Sequence, residues 1–250
     1  MKKILVPSLI ALALGSVTGL AQAQAAAPAS SLSFNVGAVS DYRYRGISQS
    51  RLQPALQGGL DYADKSGFYV GAWGSSIKWI KDTPGVTKGA TDLDLYAGYK
   101  GAVGDVAYDV GFLRYQYFGN NYVNYGANAN TNEIYGAATF GLVTAKYSHA
   151  ISNLFGNIDS KNSYYLDLSA AFDLGNGFSL TPHVGYQKVK NVPADAGSYT
   201  DYSLTLSKDL GNGLSATAAA VGTDADKVFY NLKDKFNGKS GLVVGLKYAF

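Results

Sequence analysis

Three charged side chains alternate with aromatic ones near the start of the chain: Asp41, Arg43 and Arg45, separated by Tyr42 and Tyr44. Residues two apart on an extended strand share a face, so the three charges point to one side and the tyrosines to the other. A set of fixed charges of this kind can select ions or solutes by their sign. The spacing therefore predicts a charged surface whose chemistry is electrostatic selection.

Acids elsewhere in the chain offer these arginines a different role. Asp61, Asp94 and Glu133 can form ion pairs with Arg43 and Arg45 inside a narrow interior, so that the charges only fill space. The sequence leaves both roles open. If the arginines select by sign, removing both is expected to shift ion selectivity toward cations. The candidates for the interior surface are Asp41, Arg43, Arg45, Asp61, Asp94, Glu133 and Lys247.

Catalysis is a further alternative, and it depends on His183. This residue shares a predicted strand face with Ser179 and Thr181, with Asp167 on the adjoining strand, so a hydrolase is conceivable. The chain has no nucleophile elbow, no paired histidines for zinc and no glycine loop that would bind phosphate. We therefore expect no enzyme activity, no metal site and no cofactor.

The C-terminal segment 241–250 is the clearest strand in the sequence. Its alternate residues are apolar and end in two aromatic rings, whereas the residues between them are mostly small. The apolar set is Leu242, Val244, Leu246, Tyr248 and Phe250. Apolar side chains on one face, with aromatic rings at the strand end, are typical of a strand that faces lipid in a transmembrane barrel. Such an ending also resembles the signal read by the bacterial barrel-assembly machinery, with Tyr248 and Phe250 as its key residues.

The N-terminal segment has the pattern of a secretory signal peptide. Two lysines precede an apolar run from Ile4 to Leu20, and small residues then offer cleavage sites at Ala23 or Ala25. We therefore divide the chain into a signal peptide, residues 1–25, and one domain, residues 26–250. Loss of the two lysines lowers the formal net charge of +3 by two, and no basic cluster remains that would indicate a nucleic-acid partner.

Composition narrows the fold class. The chain has no cysteine, and its 30 glycines and 20 tyrosines favour strands joined by many turns. Only 16% of the residues are charged, yet the mean hydropathy is −0.04, near zero. Beyond the signal peptide no apolar run approaches the roughly 20 residues that a spanning helix requires. Low hydropathy with pervasive alternation is instead typical of a transmembrane barrel, in which half of each strand is polar.

Tight turns and long loops alternate along the chain. Tight turns are predicted at 64–67, at 141–142 and at two copies of the sequence Asp-Leu-Gly-Asn-Gly, which begin at Asp173 and Asp209. Transmembrane barrels have short periplasmic turns, long external loops and an even number of strands. The predicted fold is all-β: a transmembrane antiparallel up-and-down β-barrel of about twelve strands, with both termini on the side of the short turns.

Aromatic residues near the predicted strand ends have two interpretations. Most of them, including Tyr42 and Tyr44, are expected to form girdles at the two membrane interfaces. Tyr69 and Trp73 lie on the opposite face of the predicted strand from Phe68, so these two are also candidates for a sugar-stacking track inside the barrel.

Several motifs are specific to one family. They are Ser40-Asp-Tyr-Arg-Tyr-Arg-Gly-Ile-Ser-Gln49, Ser66-Gly-Phe-Tyr-Val-Gly-Ala-Trp73, Asp94-Leu-Tyr-Ala-Gly-Tyr99 and His183-Val-Gly-Tyr186. Through these motifs, which extend over essentially the whole of residues 26–250, the chain resembles the TorF-like family of proteobacterial porins. The resemblance implies an outer-membrane β-barrel that acts as a pore, without naming a solute.

The sequence as a whole favours a porin-like channel of the Gram-negative outer membrane, exported through the Sec pathway, for passive diffusion of small hydrophilic solutes. The alternatives are a plugged barrel that serves structure or surface interaction, and an outer-membrane hydrolase that uses His183. The expected partners are outer-membrane lipid and lipopolysaccharide, the barrel-assembly machinery and the solutes themselves. The solute, the openness of the lumen and the oligomeric state stay open.

Overall fold

A computed structural model describes residues 30–250, and twelve strands carry the fold. In chain order they are β1 (Ser31–Val39), β2 (Ala55–Ala63), β3 (Phe68–Ser76), β4 (Thr91–Val103), β5 (Val106–Tyr117), β6 (Thr131–Phe140), β7 (Val143–Ala150), β8 (Tyr164–Ala170), β9 (Phe178–Lys188), β10 (Tyr199–Gly211), β11 (Leu214–Thr223) and β12 (Gly241–Ala249). A short segment, Phe172–Gly175, continues β8 beyond an interruption at Ala171 and pairs with β9.

The twelve strands close into a barrel. Each pairs antiparallel with its neighbours in sequence, and β1 also pairs with β12. In this seam Val36 lies opposite Tyr248, and Ala38 lies opposite Leu246. Closure leaves none of the twelve strands with a free edge, so the backbone hydrogen bonds of the barrel are satisfied without water, as a bilayer requires. The predicted antiparallel transmembrane barrel of about twelve strands is confirmed.

Left-handed residues form the tight turns at one end of the barrel. Asn176 and Gly177 have φ of 51° and 77°, and Asn212 and Gly213 have φ of 51° and 81°. Two successive residues with positive φ give the type I′ turn that suits twisted hairpins. The predicted turn at 141–142 is also present, because β6 ends at Phe140 and β7 follows two residues later.

The turn between β2 and β3 is stabilised by a carboxylate. Asp64 accepts hydrogen bonds from the backbone N–H and the hydroxyl of Ser66, and another from the hydroxyl of Ser30. Because these bonds favour the ionised form, they lower the pKa of Asp64 to about 2.

The outer face of the barrel is apolar. On β12 the side chains of Leu242 and Leu246 are 69% and 56% exposed, and alternate residues on the other strands repeat this pattern. Such a surface suits acyl chains rather than water. No helix in residues 30–250 is long and apolar enough to cross a membrane.

Aromatic rings lie near both ends of the barrel. At the short-turn end Phe34 and Tyr248 both stack on Phe250, with ring centroids 5.8 and 5.4 Å apart. At the long-loop end Tyr147 lies beside Tyr164, with centroids 5.8 Å apart. These bands match the interfacial girdles of transmembrane barrels.

The prediction for Tyr42 and Tyr44 was wrong. The alternation of polar and aromatic residues continues through position 45, but β1 ends at Val39 and the chain turns into the barrel. Tyr42 is only 2% exposed and its ring lies on Trp73, while Tyr44 packs against Tyr115. Both rings therefore lie inside the barrel and not in a girdle.

The connection between β1 and β2 folds into the lumen as a small hairpin. Arg43–Tyr44 pairs with Ile47–Ser48, and the two residues between them, Arg45 and Gly46, have φ of 47° and 77°. We call residues 40–50 the inward hairpin. It packs against the loop that carries the single helical turn α1 (Trp79–Asp82), since the backbone N–H of Trp79 bonds to the carbonyl of Gln49.

The predicted signal peptide, residues 1–25, lies outside the described residues.

Candidate functional site in the barrel lumen

The inward hairpin occupies the lumen at the level of the external third of the barrel. Its tip at Gly46 lies so close to β10 and β11 that a Cβ atom there would be 2.6 Å from Cβ of Asp201 and 2.5 Å from Cγ2 of Thr223. Only glycine fits this approach, and its positive φ also permits the turn. The hairpin therefore crosses the interior rather than lying along the wall from which it starts.

The guanidinium of Arg45 joins the hairpin to the far wall. It donates two hydrogen bonds to the carboxylate of Glu133 on β6, at 3.1 and 2.8 Å, and one to Oε1 of Gln187 on β9, at 2.6 Å. The rings of Tyr44 and Tyr165 lie 4.8 and 4.3 Å from its central carbon. A bidentate, buried pair between two aromatic faces holds its geometry well. We call this arrangement the Arg45 latch.

Arg43 and Asp41 stabilise the hairpin itself. Nε of Arg43 lies 2.5 Å from Oδ2 of Asp41, and Nη1 donates to the carbonyl of Gly46. The other oxygen of Asp41 accepts from the hydroxyls of Ser48 and Ser50. Nη1 also donates to the carbonyl of Asn237, in the loop after β11, at 3.3 Å. Asp41 thus neutralises the charge of Arg43 within the hairpin, and Arg43 also ties the hairpin to that loop.

Asp92 and Asp94 on β4 lie beside the hairpin and are almost fully buried, at 2% and 1% exposed. Oδ2 of Asp92 accepts a hydrogen bond from Tyr42, but its other oxygen and both oxygens of Asp94 have no hydrogen-bond partner within the described residues. Buried carboxylates without partners are costly and therefore uncommon. Asp94 was among the predicted interior residues, and Asp92, two residues away on the same face, was not.

Below the hairpin the lumen is lined by side chains that keep contact with solvent. Lys100, Asp109, Lys146 and Lys247 are all half-buried on inward positions of their strands. Lys100 lies 4.9 Å from the ring centre of Tyr69, whose hydroxyl donates to Asp109. The short-turn side of the lumen is therefore polar and solvated, whereas the long-loop side is filled.

Asp61 and Lys247 lie in this lower part, away from the hairpin. Asp61 accepts a hydrogen bond of 2.5 Å from the hydroxyl of Tyr96, and the charges of Lys247 and Lys100 act on its carboxylate. The structure thus brings Arg45 and Glu133 together and leaves Asp61 and Lys247 in a separate group. All the predicted interior residues face the lumen, but they form two levels rather than one ring.

The two predicted stacking residues are covered by protein. Tyr69 and Trp73 are each 6% exposed. Tyr42 packs its edge on Trp73, with centroids 5.4 Å apart, and the hydroxyl of Tyr69 bonds to Tyr135. A sugar ring can stack on Trp73 only if Tyr42 moves, and on Tyr69 only if the groups that cover its ring move. The stacking track stays a prediction.

His183 lies inside the barrel among acids. Its Nε2 lies 2.9 Å from Asp167 and 3.1 Å from the hydroxyl of Tyr165, and its Nδ1 lies 3.7 Å from Asp201. A serine hydrolase needs the acid on one ring nitrogen and the nucleophile on the other. Ser169 and Ser203 lie opposite His183 on β8 and β10, but the partners shown for its ring nitrogens are Asp167, Tyr165 and Asp201. The geometry shown is therefore an ion-pair network around the histidine.

Sequence analysis did not name Gln187 or Asp201 as candidate site residues, although the hairpin meets them on β9 and β10. Both residues occupy inward positions on strands whose alternation is regular, so the sequence predicts that their side chains face the lumen. What the sequence could not supply was the depth at which residues 40–50 enter the lumen, and this depth decides which inward residues the hairpin contacts.

Solved structures of bacterial outer-membrane channels share this fold. The KdgM porin, in a structure described as a complex with disordered oligogalacturonate, matches with a TM-score of 0.54 at 9% identity over 88% of this chain and 99% of that chain. The NanC porin matches with a TM-score of 0.54 at 11% identity, covering 88% and 99%. An outer membrane channel from Pseudomonas putida F1 matches with a TM-score of 0.51 at 13% identity, covering 89% and 95%.

Comparison with curated proteins gave no match. The family match, in contrast, extends over residues 22–250 and thus over the whole barrel. The family is described as bacterial protein of unknown function, and its extent here includes the hairpin, the latch and the C-terminal strand. This chain is a member of the Gcw_chp family, built on a porin-like β-barrel.

Proposed function

We propose that this protein is a porin-like channel of the Gram-negative outer membrane through which small hydrophilic solutes diffuse down their gradients. One observation carries the proposal: a closed barrel with an apolar outer face encloses a polar, solvated lumen. Half-buried lysines and acids below the inward hairpin supply that polarity. The resemblance to the TorF-like porins and the fold shared with KdgM and NanC support the same function.

The inward hairpin determines how such a channel works. In the conformation described here it fills the external third of the lumen, and the Arg45 latch holds it against β6 and β9. Passage of a solute therefore requires the hairpin to yield or shift. Arg43 and Arg45 act on permeation by keeping the hairpin in place, and Asp41 and Glu133 act as their anchors.

Two measurements test the proposal. Purified protein in planar bilayers is expected to give discrete conductance steps, and proteoliposomes are expected to swell in small sugars and to stop swelling above a size limit. Boiled protein, which has lost the barrel, is the control. A folded barrel that gives neither conductance nor swelling would contradict the proposal.

A plugged barrel is the second candidate, and the latch is the observation that favours it. If the hairpin never yields, the other five long loops at the external end become the functional surface. Conductance separates the two candidates directly, because a permanently plugged barrel conducts no ions.

Export and assembly complete the proposal. The N-terminal signal would direct the chain through the Sec pathway, and Tyr248 and Phe250, stacked at the end of β12, would be read by the barrel-assembly machinery. The apolar band would then contact outer-membrane lipid, and the loops would lie among lipopolysaccharide.

A further inference from the structure

The outward face of the described strands carries few charges, and all of them are positive. On the twelve strands the outward positions hold Arg114, Lys188 and Lys208, and no aspartate or glutamate. Lys208 lies at the short-turn end, where its ammonium donates to the carbonyl of Asn176. Arg114 and Lys188 lie at the long-loop end, which is the external end of a transmembrane barrel. A wall that carries cations at the membrane boundary favours anionic lipid headgroups there.

Arg114 is the outward cation at the external end whose charge no carboxylate of the described residues offsets. Lys188, in contrast, forms an ion pair with Asp195 in the loop after β9. The guanidinium of Arg114 donates to neutral acceptors: Nε and Nη2 to Oε1 of Gln116, at 3.0 and 2.7 Å, and Nη1 to Oδ1 of Asn132, at 3.1 Å. An arginine has five N–H donors, so two remain, one on each terminal nitrogen. Arg114 therefore offers a full positive charge and two donors to a further acceptor.

The side chains around Arg114 are also suited to a phosphate. Its hydrogen bonds occupy the amide oxygens of Gln116 and Asn132, so the NH2 groups of both amides point away from it and can donate elsewhere. On the next strand, β7, the hydroxyl of Tyr147 lies 2.9 Å from Nδ1 of His149. Phosphate oxygens accept several hydrogen bonds, and arginine binds them with two parallel donors. This end of β5, β6 and β7 thus presents donors around one unpaired cation.

Below these polar groups the outer wall has an apolar depression of about 640 Å³. It exists because the outward positions on its floor are small: Gly136, Ala138 and Ala145, with Ala138 opposite Ala145 in the pairing of β6 with β7. A Cβ atom on Gly136 would have one heavy atom within 4 Å, Cγ1 of Val110 at 3.9 Å. Larger outward side chains border the depression; they are Val110, Tyr147, Leu166, Leu168, Val184 and Tyr186. The wall therefore has an open trough on its lipid-facing side.

The trough and the donors lie at adjacent levels of the same strands. Tyr147 borders the trough, and its hydroxyl reaches His149. On β5, Val110 borders the trough and Arg114 lies four residues beyond it, about 13 Å along the strand. Arg114 pairs with Leu95 on β4, so the apolar face of the neighbouring strand continues to this level. A phosphate on Arg114 would lie at the upper edge of the apolar band, with alkyl chains attached to it running down into the trough.

The width of the trough indicates a ligand with several chains. Its lining residues run from Val110 on β5 to Tyr186 on β9, and five strands at the usual spacing span about 19 Å. This is wider than one alkyl chain. We propose that the site binds a phosphorylated glycolipid with several acyl chains, the chemistry of lipid A in lipopolysaccharide, with one phosphate on Arg114 and acyl chains in the trough. The proposal goes beyond the channel function, because a permanently plugged barrel would bind the lipid in the same way.

The test measures binding of defined lipids to the purified, folded protein in detergent micelles by native mass spectrometry. Lipid A with its phosphates is expected to bind about tenfold more tightly than the same lipid with its phosphates removed, the scale of one charge-assisted contact. Dimyristoyl phosphatidylglycerol, with one phosphate and two chains, is expected to bind more weakly than lipid A. Equal binding of the two forms of lipid A would overturn the proposal, and so would phosphatidylglycerol that binds as tightly as lipid A.

Two variants separate the headgroup from the chains. Arg114→Met is expected to lose the preference for the phosphorylated lipid, so that the ratio of the two affinities falls close to one. Gly136→Leu with Ala145→Leu fills the trough and is expected to weaken binding of both forms about fourfold or more, the scale of one methylene group, while the ratio is kept. An unchanged ratio in the Arg114 variant, or unchanged binding after the trough is filled, would overturn the site.

Lys208→Met is the matched control, because it removes an outward cation from the short-turn end of the same wall. It is expected to bind both forms of lipid A like the wild type. A loss equal to that of the Arg114 variant would overturn the site, since any surface cation would then act alike. Each variant is checked for heat-modifiable migration in gels, so that a misfolded barrel is recognised. Lipid binding and conductance are measured separately, so a failure of either one leaves the other standing.

Discussion

Arg45 is the residue on which the filled part of the lumen depends most directly. Its guanidinium leaves a two-residue turn and reaches β6 and β9, while two tyrosine rings exclude water from it. In this buried setting each of the two charges, on Arg45 and on Glu133, is stabilised by the other. Breaking a buried pair by removing one partner typically costs about 3–5 kcal/mol, whereas replacing both with apolar groups is often neutral.

Arg45→Met is therefore expected to lower the free energy of unfolding by about 3 kcal/mol, because Glu133 is left buried and unpaired. Arg45→Met with Glu133→Met is expected to recover most of this loss. Urea titration of the barrel in detergent or lipid measures both values. Arg114→Met is the control, since Arg114 lies on the outer side of β5 and bonds to Gln116 and Asn132. An equal loss in the single and double variants would show that the pair itself is not the cause.

At the scale of single residues, parity in the sequence predicted the direction of nearly every interior charge. Asp61, Asp94 and Glu133 all face inward on strands whose alternation is regular. The partners of these charged side chains were harder to predict, because they depend on which strands lie opposite each other across the lumen. The contact between Arg45 and Glu133 joins residues 88 positions apart, and no local pattern encodes that separation.

The inward hairpin is the element that separates the two candidate functions. It begins where β1 stops pairing and turns at Arg45 and Gly46, and its tip touches β10 and β11. Whether it moves decides whether the barrel conducts.

Gly46→Ala is expected to raise the conductance. A Cβ at position 46 would lie 2.5 Å from Cγ2 of Thr223 and 2.6 Å from Cβ of Asp201, so the tip of the hairpin has to move away from β10 and β11. Single-channel recording in planar bilayers measures the change. Gly85→Ala is the matched control, since Gly85 has the same φ of 77° but no heavy atom would lie within 4 Å of its Cβ, and this variant should conduct like the wild type. Unchanged conductance of the Gly46 variant would mean that solutes pass beside a fixed hairpin.

The inward hairpin was also the element that the sequence did not predict. In residues 32–45 the two kinds of side chain alternate without a break, so the sequence predicts one long strand. On such a strand Tyr42 and Tyr44 would face outward. Gly46 was the only local sign of a turn. Nothing nearby reports that β1 loses its partners after Val39, because strand ends are set by pairing with β2 and β12.

At the scale of the whole molecule, the barrel was predictable because lipid imposes a simple rule on every strand. Outward positions must be apolar and backbone groups must pair, so alternation, turn spacing and the aromatic ending all point to the same fold. The filling of the lumen follows no such rule. It depends on loops, and loops of similar length can lie above the barrel or enter it.

Phe250→Ala is expected to reduce the amount of barrel assembled in the outer membrane, because the terminal ring stacks on Phe34 and Tyr248 at the seam and is proposed as the assembly signal. The heat-modifiable band in isolated outer membranes measures the folded fraction. Phe229→Ala, in the loop after β11, is the control and should assemble normally. Normal assembly of the Phe250 variant would remove this residue from the signal.

The two ends of the lumen differ in a way that affects any molecule that enters it. The inward hairpin fills the external third, whereas the short-turn side is lined by half-buried polar side chains. A small molecule arriving from the periplasmic side can therefore enter the lumen without displacing the hairpin, but one arriving from outside meets the hairpin first. A blocker of limited size should act from one side only, and the side on which it acts would report which way the protein sits in the membrane.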